Sequence, residues 1–326
     1  MLNQAAVEMA VKLGLACGCT IATTNYFARK HYFYPDLPKG YQLSQHTTPI
    51  CKGGRVKIST SAGERWVRLN RIHLEEDAGK SMHDQYNDFS VVDYNRAGVP
   101  LVEIVTEPDL HTAEEAAAYF AALRQLVRTL GVCDGNMEEG SLRCDANISV
   151  RRKGDSQLGT KVEVKNLNSI RFLRKAIEYE VERMIHLLEA GQPIRQQTRS
   201  FDATTETTFA IRDKEEANDY RYMPDPDVPP FVLTPEYIEQ VRQTLPELPD
   251  ERKERLMRQY ALPAYDATIL SADVPLCDYF EAAARITPAA KQVANWLLGP
   301  VKSYVNEAGM EMEAFPLPPP PAGRHY

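Results

Sequence analysis

The sequence predicts an α+β protein in which antiparallel strands alternate with two long helices and an all-helical segment follows. Three observations predict it. Between Arg55 and Val150 apolar and polar residues mostly alternate, the period of strands buried on one face. Thr112–Leu130 and Ser169–Ala190 carry apolar residues at helical spacing between start and stop signals. From Thr234 the alternation ends and short helical segments succeed one another.

The elements follow in order. Leu2–Cys17 reads as a helix with Ala6, Met9, Ala10 and Leu13 on one face. Asn25–Gln45 is too rich in turn residues for a long helix. It sets Tyr26, Phe27, Tyr32, Phe33, Tyr34 and Tyr41 around Arg29, Lys30 and Lys39. Such a cluster suits a core or a platform on which bases stack. RVKIST and RWVRLNRIHLEE are strands, with Gly53–Arg55 a hairpin turn before the first; Asp84–Asp93 is a hairpin arm and PLVEIVTEPD a further strand. Thr112 and Glu115 form a capping box, and Gly131 stops that helix. SLRCDANISVR and GTKVEVKNLN are strands, Ser169–Ala190 is a helix stopped by Gly191, and QQTRSFD with TTFAIRDK reads as a hairpin. DYRYMPDPDVPP reads as a proline-rich exit. The expected domains are 1–233, a catalytic domain, and 234–310, a helical domain; residues 311–326 form a proline-rich frayed end.

Composition narrows the function. The 326 residues are 43% hydrophobic and 25% charged, and the net charge is −7. This is the mix of an ordinary globular protein, and the charge is wrong for a chain basic all over that coats nucleic acid. No apolar run approaches the ~18 residues of a membrane span, and the first residues do not read as a signal peptide. The six cysteines form no C-x-x-C pair; scattered cysteines of this kind suit a cytoplasmic chain. Cys17 and Cys19 as a zinc pair would need two further ligands that the sequence does not visibly supply.

The chemistry lies in polar residues set inside strands. RIHLEED holds His73, Glu75 and Glu76, and PLVEIV places Glu103 between Val102 and Ile104. Arg143, Asp145 and Asn147 alternate, as do Lys161, Glu163 and Lys165, so each trio shares one face. Charges in a core are costly unless paired or metal-bound. Several strands of this kind indicate a polar cleft over a sheet. Carboxylates without a His/Cys set favour Mg²⁺, and interleaved Lys and Arg suit phosphate oxygens. Phosphoryl transfer needs both. A solvated sheet face or a cross-strand ladder of salt bridges would carry the same pattern. His73 fits a packed, hydrogen-bonded histidine better than a base. No Walker loop and no G-x-S-x-G elbow occurs.

YFYPDLPKGYQLSQ, RIHLEEDAGKS, DYNRAGVPLVEIVTEPD, MEEGSLRCDANISVR, VEVKNLNS and DYRYMPDPDVPP resemble the signature blocks of the GatB family. Its members are subunits of the aspartyl/glutamyl-tRNA(Asn/Gln) amidotransferase. The resemblance runs from about Asn3 to Gly309. It implies an antiparallel cradle related to glutamine synthetase and the guanido kinases. It also implies an ATP-dependent carbon–nitrogen ligase that phosphorylates the side-chain carboxylate of Glu-tRNA(Gln) or Asp-tRNA(Asn). Ammonia from glutamine, released by the GatA subunit, then displaces phosphate, and GatC clasps the assembly. By the resemblance, Glu76 and Glu103 are magnesium ligands, Asp145 and Glu163 line the site or the ammonia path, and Lys30 and Lys39 lie near the tunnel. Arg143 and Lys165 are added as phosphate contacts from charge and facing alone. The family's opening strand, with Gly-Leu-Glu-Ile-His, and its YqeY-like tail are not seen in this sequence. The expectation is therefore an internal fragment that is inactive in ATP-dependent transamidation even with GatA and GatC added. The rivals are a non-catalytic scaffold subunit and a ligase acting on a free amino acid.

Overall fold

The computed structural model describes residues 2–82, 89, 91–213 and 219–319. It is α+β, as the alternation predicts, and divides into two compact units, Met1–Leu245 and Pro246–Tyr326.

The first unit opens with α1, Gln4–Ala16, whose N-cap Asn3 accepts a hydrogen bond from the Ala5 amide at 3.0 Å. Its buried residues are Val7, Ala10, Val11, Leu13, Gly14 and Leu15; of the expected face Ala10 and Leu13 are buried, but Ala6 is half-buried and Met9 exposed, so the helix is turned toward Val11 and Gly14. The reason is close packing. A Cβ added at Gly14 would collide with Cys51 Sγ, so only glycine lets this helix reach the strand beneath it.

That strand belongs to the main sheet. Thr20–Ile21 pairs with Cys51–Lys52, which pairs with the 14-residue strand Gly63–Glu76. Pro100–Thr106 and Arg55–Thr60 both pair with this long strand, and every pairing is antiparallel. Gly53 and Gly54 turn the chain with φ of 67° and 89°. α2, Ala113–Thr129, packs on Arg55–Thr60 and is capped by Thr112, whose hydroxyl accepts from the Glu115 amide at 3.0 Å.

A second sheet runs in the order Cys144–Ile148, Val162–Leu167, Gln197–Asp202, Thr207–Asp213. Its central pair is parallel, which departs from the all-antiparallel expectation. The cause is α3, Ile170–Glu189, which crosses over between the two strands and reverses the direction of return. Leu173, Ala176 and Met184 of α3 close over Ile148, Val162, Val164 and Leu167. The other face of this sheet holds Asp145, Asn147, Glu163 and Lys165, as alternation requires.

Two expectations are corrected here. DYRYMPDPDVPP is no exit: Met223–Pro224 returns to pair with Ala28–His31, which pairs with Tyr41–Ser44. Arg29 secures the return, donating from Nε to Asp225 at 2.7 Å and from Nη2 to Asp227 at 2.8 Å. The boundary expected at 233/234 also moves, because α4, Pro235–Gln243, packs on α1 and the first unit runs to Leu245. Lys80–Met82 pairs with Val91–Asp93; the rest of the expected 84–93 arm lies largely outside the described residues, as does much of the proline-rich end.

The second unit is helical: α5 Pro249–Tyr260, α6 Ala264–Ala272, α7 Val274–Ala284, α8 Ala290–Trp296 and α9 Lys302–Glu307. Their apolar faces meet at Phe280, with Leu256, Leu270, Cys277 and Leu297 around it. α8 runs into α9 through a π-helical turn, Leu297–Val301, that contains Pro300. Proline has no N–H for the ordinary helical bond, and a wider turn accommodates it.

Candidate active site

The long strand Gly63–Glu76 positions the centre of the site. Alternation sends Arg71, His73 and Glu75 to one face and Ile72, Leu74 and Glu76 to the other. Opposite, Glu103 pairs in register with His73 and therefore joins the first face. His73, Glu75 and Glu103 bring one ligand atom each within 4.8 Å of one another; among the described residues they are the group able to hold a metal ion. His73 Nε2 lies 3.3 Å from Glu75 Oε2 and 3.9 Å from Glu103 Oε2. Arg71 Nε donates to His73 Nδ1 at 3.3 Å, and Ser44 Oγ donates to Glu75 Oε2 at 3.4 Å.

Opposing influences meet at Glu103. Burial pushes the Glu103 carboxyl up from its ordinary value, and the Glu75 charge pushes the same way; His73, Lys30 and Arg71 pull it down. The net is upward, although the side chain is 49% exposed. Burial is the largest cause, and it disfavours the charged form of the carboxyl.

Aromatic rings stand beside these carboxylates. Lys30 Nζ sits 4.6 Å above the Tyr220 ring and 6.0 Å above that of Tyr32. Tyr222 stacks on His46 at 3.8 Å. Burial and the nearby Asp36 and Glu75 carboxylates push the Tyr32 hydroxyl up to about 12.

The expected residues divide among several groups. Glu103 and Lys30 meet at the centre just described. Glu76 does not join it: its carboxylate accepts from the Lys39 ammonium and, at 2.9 Å, from the Leu43 amide, because it faces the other way. Lys39 is spent on that pair and on the Tyr41 ring, 4.7 Å away. Asp145, Glu163 and Lys165 do gather, on the open face of the second sheet. Lys165 Nζ lies 3.1 Å from Asp145 and 3.3 Å from Glu163. Burial works against the Lys165 charge, but the two carboxylates outweigh it and raise its pKa. Arg143 donates to the buried Asp77 at 2.7 Å, so its guanidinium braces the chain just after the long strand.

Sequence reasoning passed over Glu75 and Arg71 as site residues and discounted His73. The signal was present, since Arg71, His73 and Glu75 are two apart on one strand and share a face.

The fold and cluster define a class: an α+β protein whose antiparallel sheet presents two carboxylates and an imidazole beside lysine and arginine. Comparison with known proteins narrows this. Residues 1–239 match the GatB/GatE catalytic domain. The chain is 50% identical over 319 residues to the GatB subunit of the aspartyl/glutamyl-tRNA(Asn/Gln) amidotransferase of Thermodesulfovibrio yellowstonii, covering 98% of this chain and 67% of that protein. It is 53% identical to the corresponding subunit of Alkalilimnicola ehrlichii, covering 99% and 68%, and 54% identical to that of Anaeromyxobacter dehalogenans strain 2CP-1, covering 98% and 67%. The chain belongs to the GatB family. It spans about two thirds of the length of these relatives.

Proposed function

We propose that this chain works as the carboxylate-activating subunit of a tRNA-dependent amidotransferase. Its substrates are ATP and the misacylated Glu-tRNA(Gln) or Asp-tRNA(Asn), and it works in the cytoplasm with GatA as ammonia source and GatC as the third subunit. The observation that carries the reading is the pair Glu75 and Glu103 on neighbouring strands beside Lys30 and Arg71. It stands in a chain about half identical to proteins named for that reaction.

Two carboxylates on one face fit a hard, oxygen-seeking cation, and Glu75 and Glu103 would hold Mg²⁺. Once bound, the ion would neutralise charge on phosphate oxygens as a Lewis acid. Lys30, held over Tyr220, brings a further positive charge to the same place. Lys165 is kept charged by Asp145 and Glu163 and so stays a fixed cation on the second sheet. Positioning reactants and neutralising charge is most of what this chemistry asks of a protein.

The test assays Gln-tRNA formation from Glu-tRNA(Gln), ATP and glutamine in the complex with GatA and GatC. Glu103→Gln should lower turnover on the order of 10²–10³ fold, while glutaminase activity and subunit assembly persist. Near-normal turnover overturns the reading. A parallel assay on free glutamate separates the rival ligase, which would amidate it without tRNA.

A further inference from the structure

The hydrogen bond between Arg71 and His73 decides which ring nitrogen of His73 carries the proton. An arginine Nε–H can only donate. It points at His73 Nδ1, 3.3 Å away, so Nδ1 must offer its lone pair. The remaining proton then sits on Nε2, the nitrogen that faces Glu75 at 3.3 Å and Glu103 at 3.9 Å. Glu75 Oε2 accepts that proton's hydrogen bond as it accepts from Ser44.

We propose that Arg71 is a positioning residue that locks His73 in the Nε2–H tautomer, so that His73 shows the carboxylate pair a donor and not a metal-binding lone pair. A cation between Glu75 and Glu103 then takes no nitrogen from His73, and these residues favour Mg²⁺ or Mn²⁺ over metals that seek imidazole, such as Ni²⁺ and Zn²⁺. The arrangement inverts the usual one. Where histidine ligates a metal, its other nitrogen usually donates to a carboxylate or carbonyl, which leaves the facing nitrogen free to bind. Here the outer partner is itself an obligatory donor. The sequence spaces the parts for this, because Arg71, His73 and Glu75 follow one another at i, i+2 and i+4 on one face of a buried strand. Burial holds the arrangement: His73 is only 4% exposed.

This rests on the proposed function only in the choice of cation; the tautomer stands on its own. The first experiment is long-range ¹H–¹⁵N correlation NMR on the full chain with ¹⁵N-labelled histidine, using His73→Gln to assign the signal. The wild-type ring should show a protonated Nε2 and a bare Nδ1, and Arg71→Met should turn it into a tautomer mixture. Arg71→Lys is a second route, since its ammonium, like the guanidinium, can only donate and should restore the wild-type pattern. A protonated Nδ1 in the wild type overturns the proposal, as does an Arg71→Met spectrum identical to it.

The second experiment measures binding of Mn²⁺ and Ni²⁺ alone, by electron paramagnetic resonance and calorimetry. Arg71→Met should raise Ni²⁺ affinity about tenfold or more relative to Mn²⁺, in the range that outer partners of metal ligands command. In wild type, His73→Gln should leave Mn²⁺ affinity within about threefold. A loss of tenfold or more in that variant makes His73 a ligand and overturns the proposal. A chain with the expected tautomer that binds no Mn²⁺ upholds the tautomer and overturns the reading of the site as a cation centre.

Discussion

Glu75 and Glu76 are neighbours in sequence with opposite situations. Glu75 lies against His73 on the face that carries Glu103, whereas Glu76 is tied to Lys39 on the other. Glu75→Gln should therefore lower Gln-tRNA formation by about 10²–10³ fold. Glu76→Gln, which removes only the Lys39 pair, should leave a far larger share of the turnover. Equal loss in the two variants would show that strand facing does not decide their roles. A second residue shows how pH reaches stability. Hydrogen bonding to the Arg68 guanidinium holds the Asp109 carboxyl down to about 2. Its unfolded value is near 3.9. A depressed folded value contributes stability above that unfolded value, and the contribution is lost as pH falls toward about 2. Arg68 is 69% exposed, so solvent screens the pair. Asp109→Asn should cost about 1 kcal/mol at pH 7. The difference from wild type should shrink between about pH 5 and pH 2. Urea melts at the two ends of that range check it.

Among elements, α3 is fastened to its sheet by a buried carboxylate. Glu180 is fully buried and accepts from Arg183 Nη2 at 2.7 Å, from Thr208 Oγ1, and pairs with Arg199 Nε at 3.0 Å. Arg199 also donates to the Thr208 carbonyl at 2.9 Å, so helix and two strands share one network. Burial lowers the Arg199 pKa, and the Glu180 charge opposes that shift. Removing the acid strands a buried guanidinium. Glu180→Ala should destabilise the first unit by about 3–5 kcal/mol. A cost near zero in thermal or urea unfolding would mean that the network is not coupled to folding. α2 depends on a smaller device: Thr112→Ala, which deletes the cap on the Glu115 amide, should cost about 1 kcal/mol.

At the scale of the molecule the two compact units carry separate cores. The helical unit is organised about Phe280, fully buried and edge-on to Tyr260 at 5.1 Å. Arg255 reinforces it, donating to Glu247 at 2.6 Å and to Glu281. Phe280→Ala should destabilise this unit by about 3–5 kcal/mol, from lost transfer energy and the cavity left behind. Calorimetry should show one transition moving down while that of the first unit stays. A common shift of both transitions would show that the units unfold together.

Much of this was legible in the residues. Alternation alone placed Glu163 with Lys165, and Asp145 with Asn147, each pair on one face of its own strand, because a strand's side chains change sides at every residue. Thr112 with Glu115 and Gly131 marked α2, since caps are local chemistry. The signature blocks pointed to the family that the match over residues 1–239 then showed. What sequence could not decide was partnership across strands and returns of the chain. That Glu103 faces His73, and Glu76 does not, depends on a register between residues some thirty apart. That Met223–Pro224 closes on Ala28–His31 depends on Arg29 meeting Asp225 across nearly two hundred residues. Periodicity tells which way a side chain points along its own strand. Which charge waits opposite is settled only when the packed sheet brings distant strands side by side.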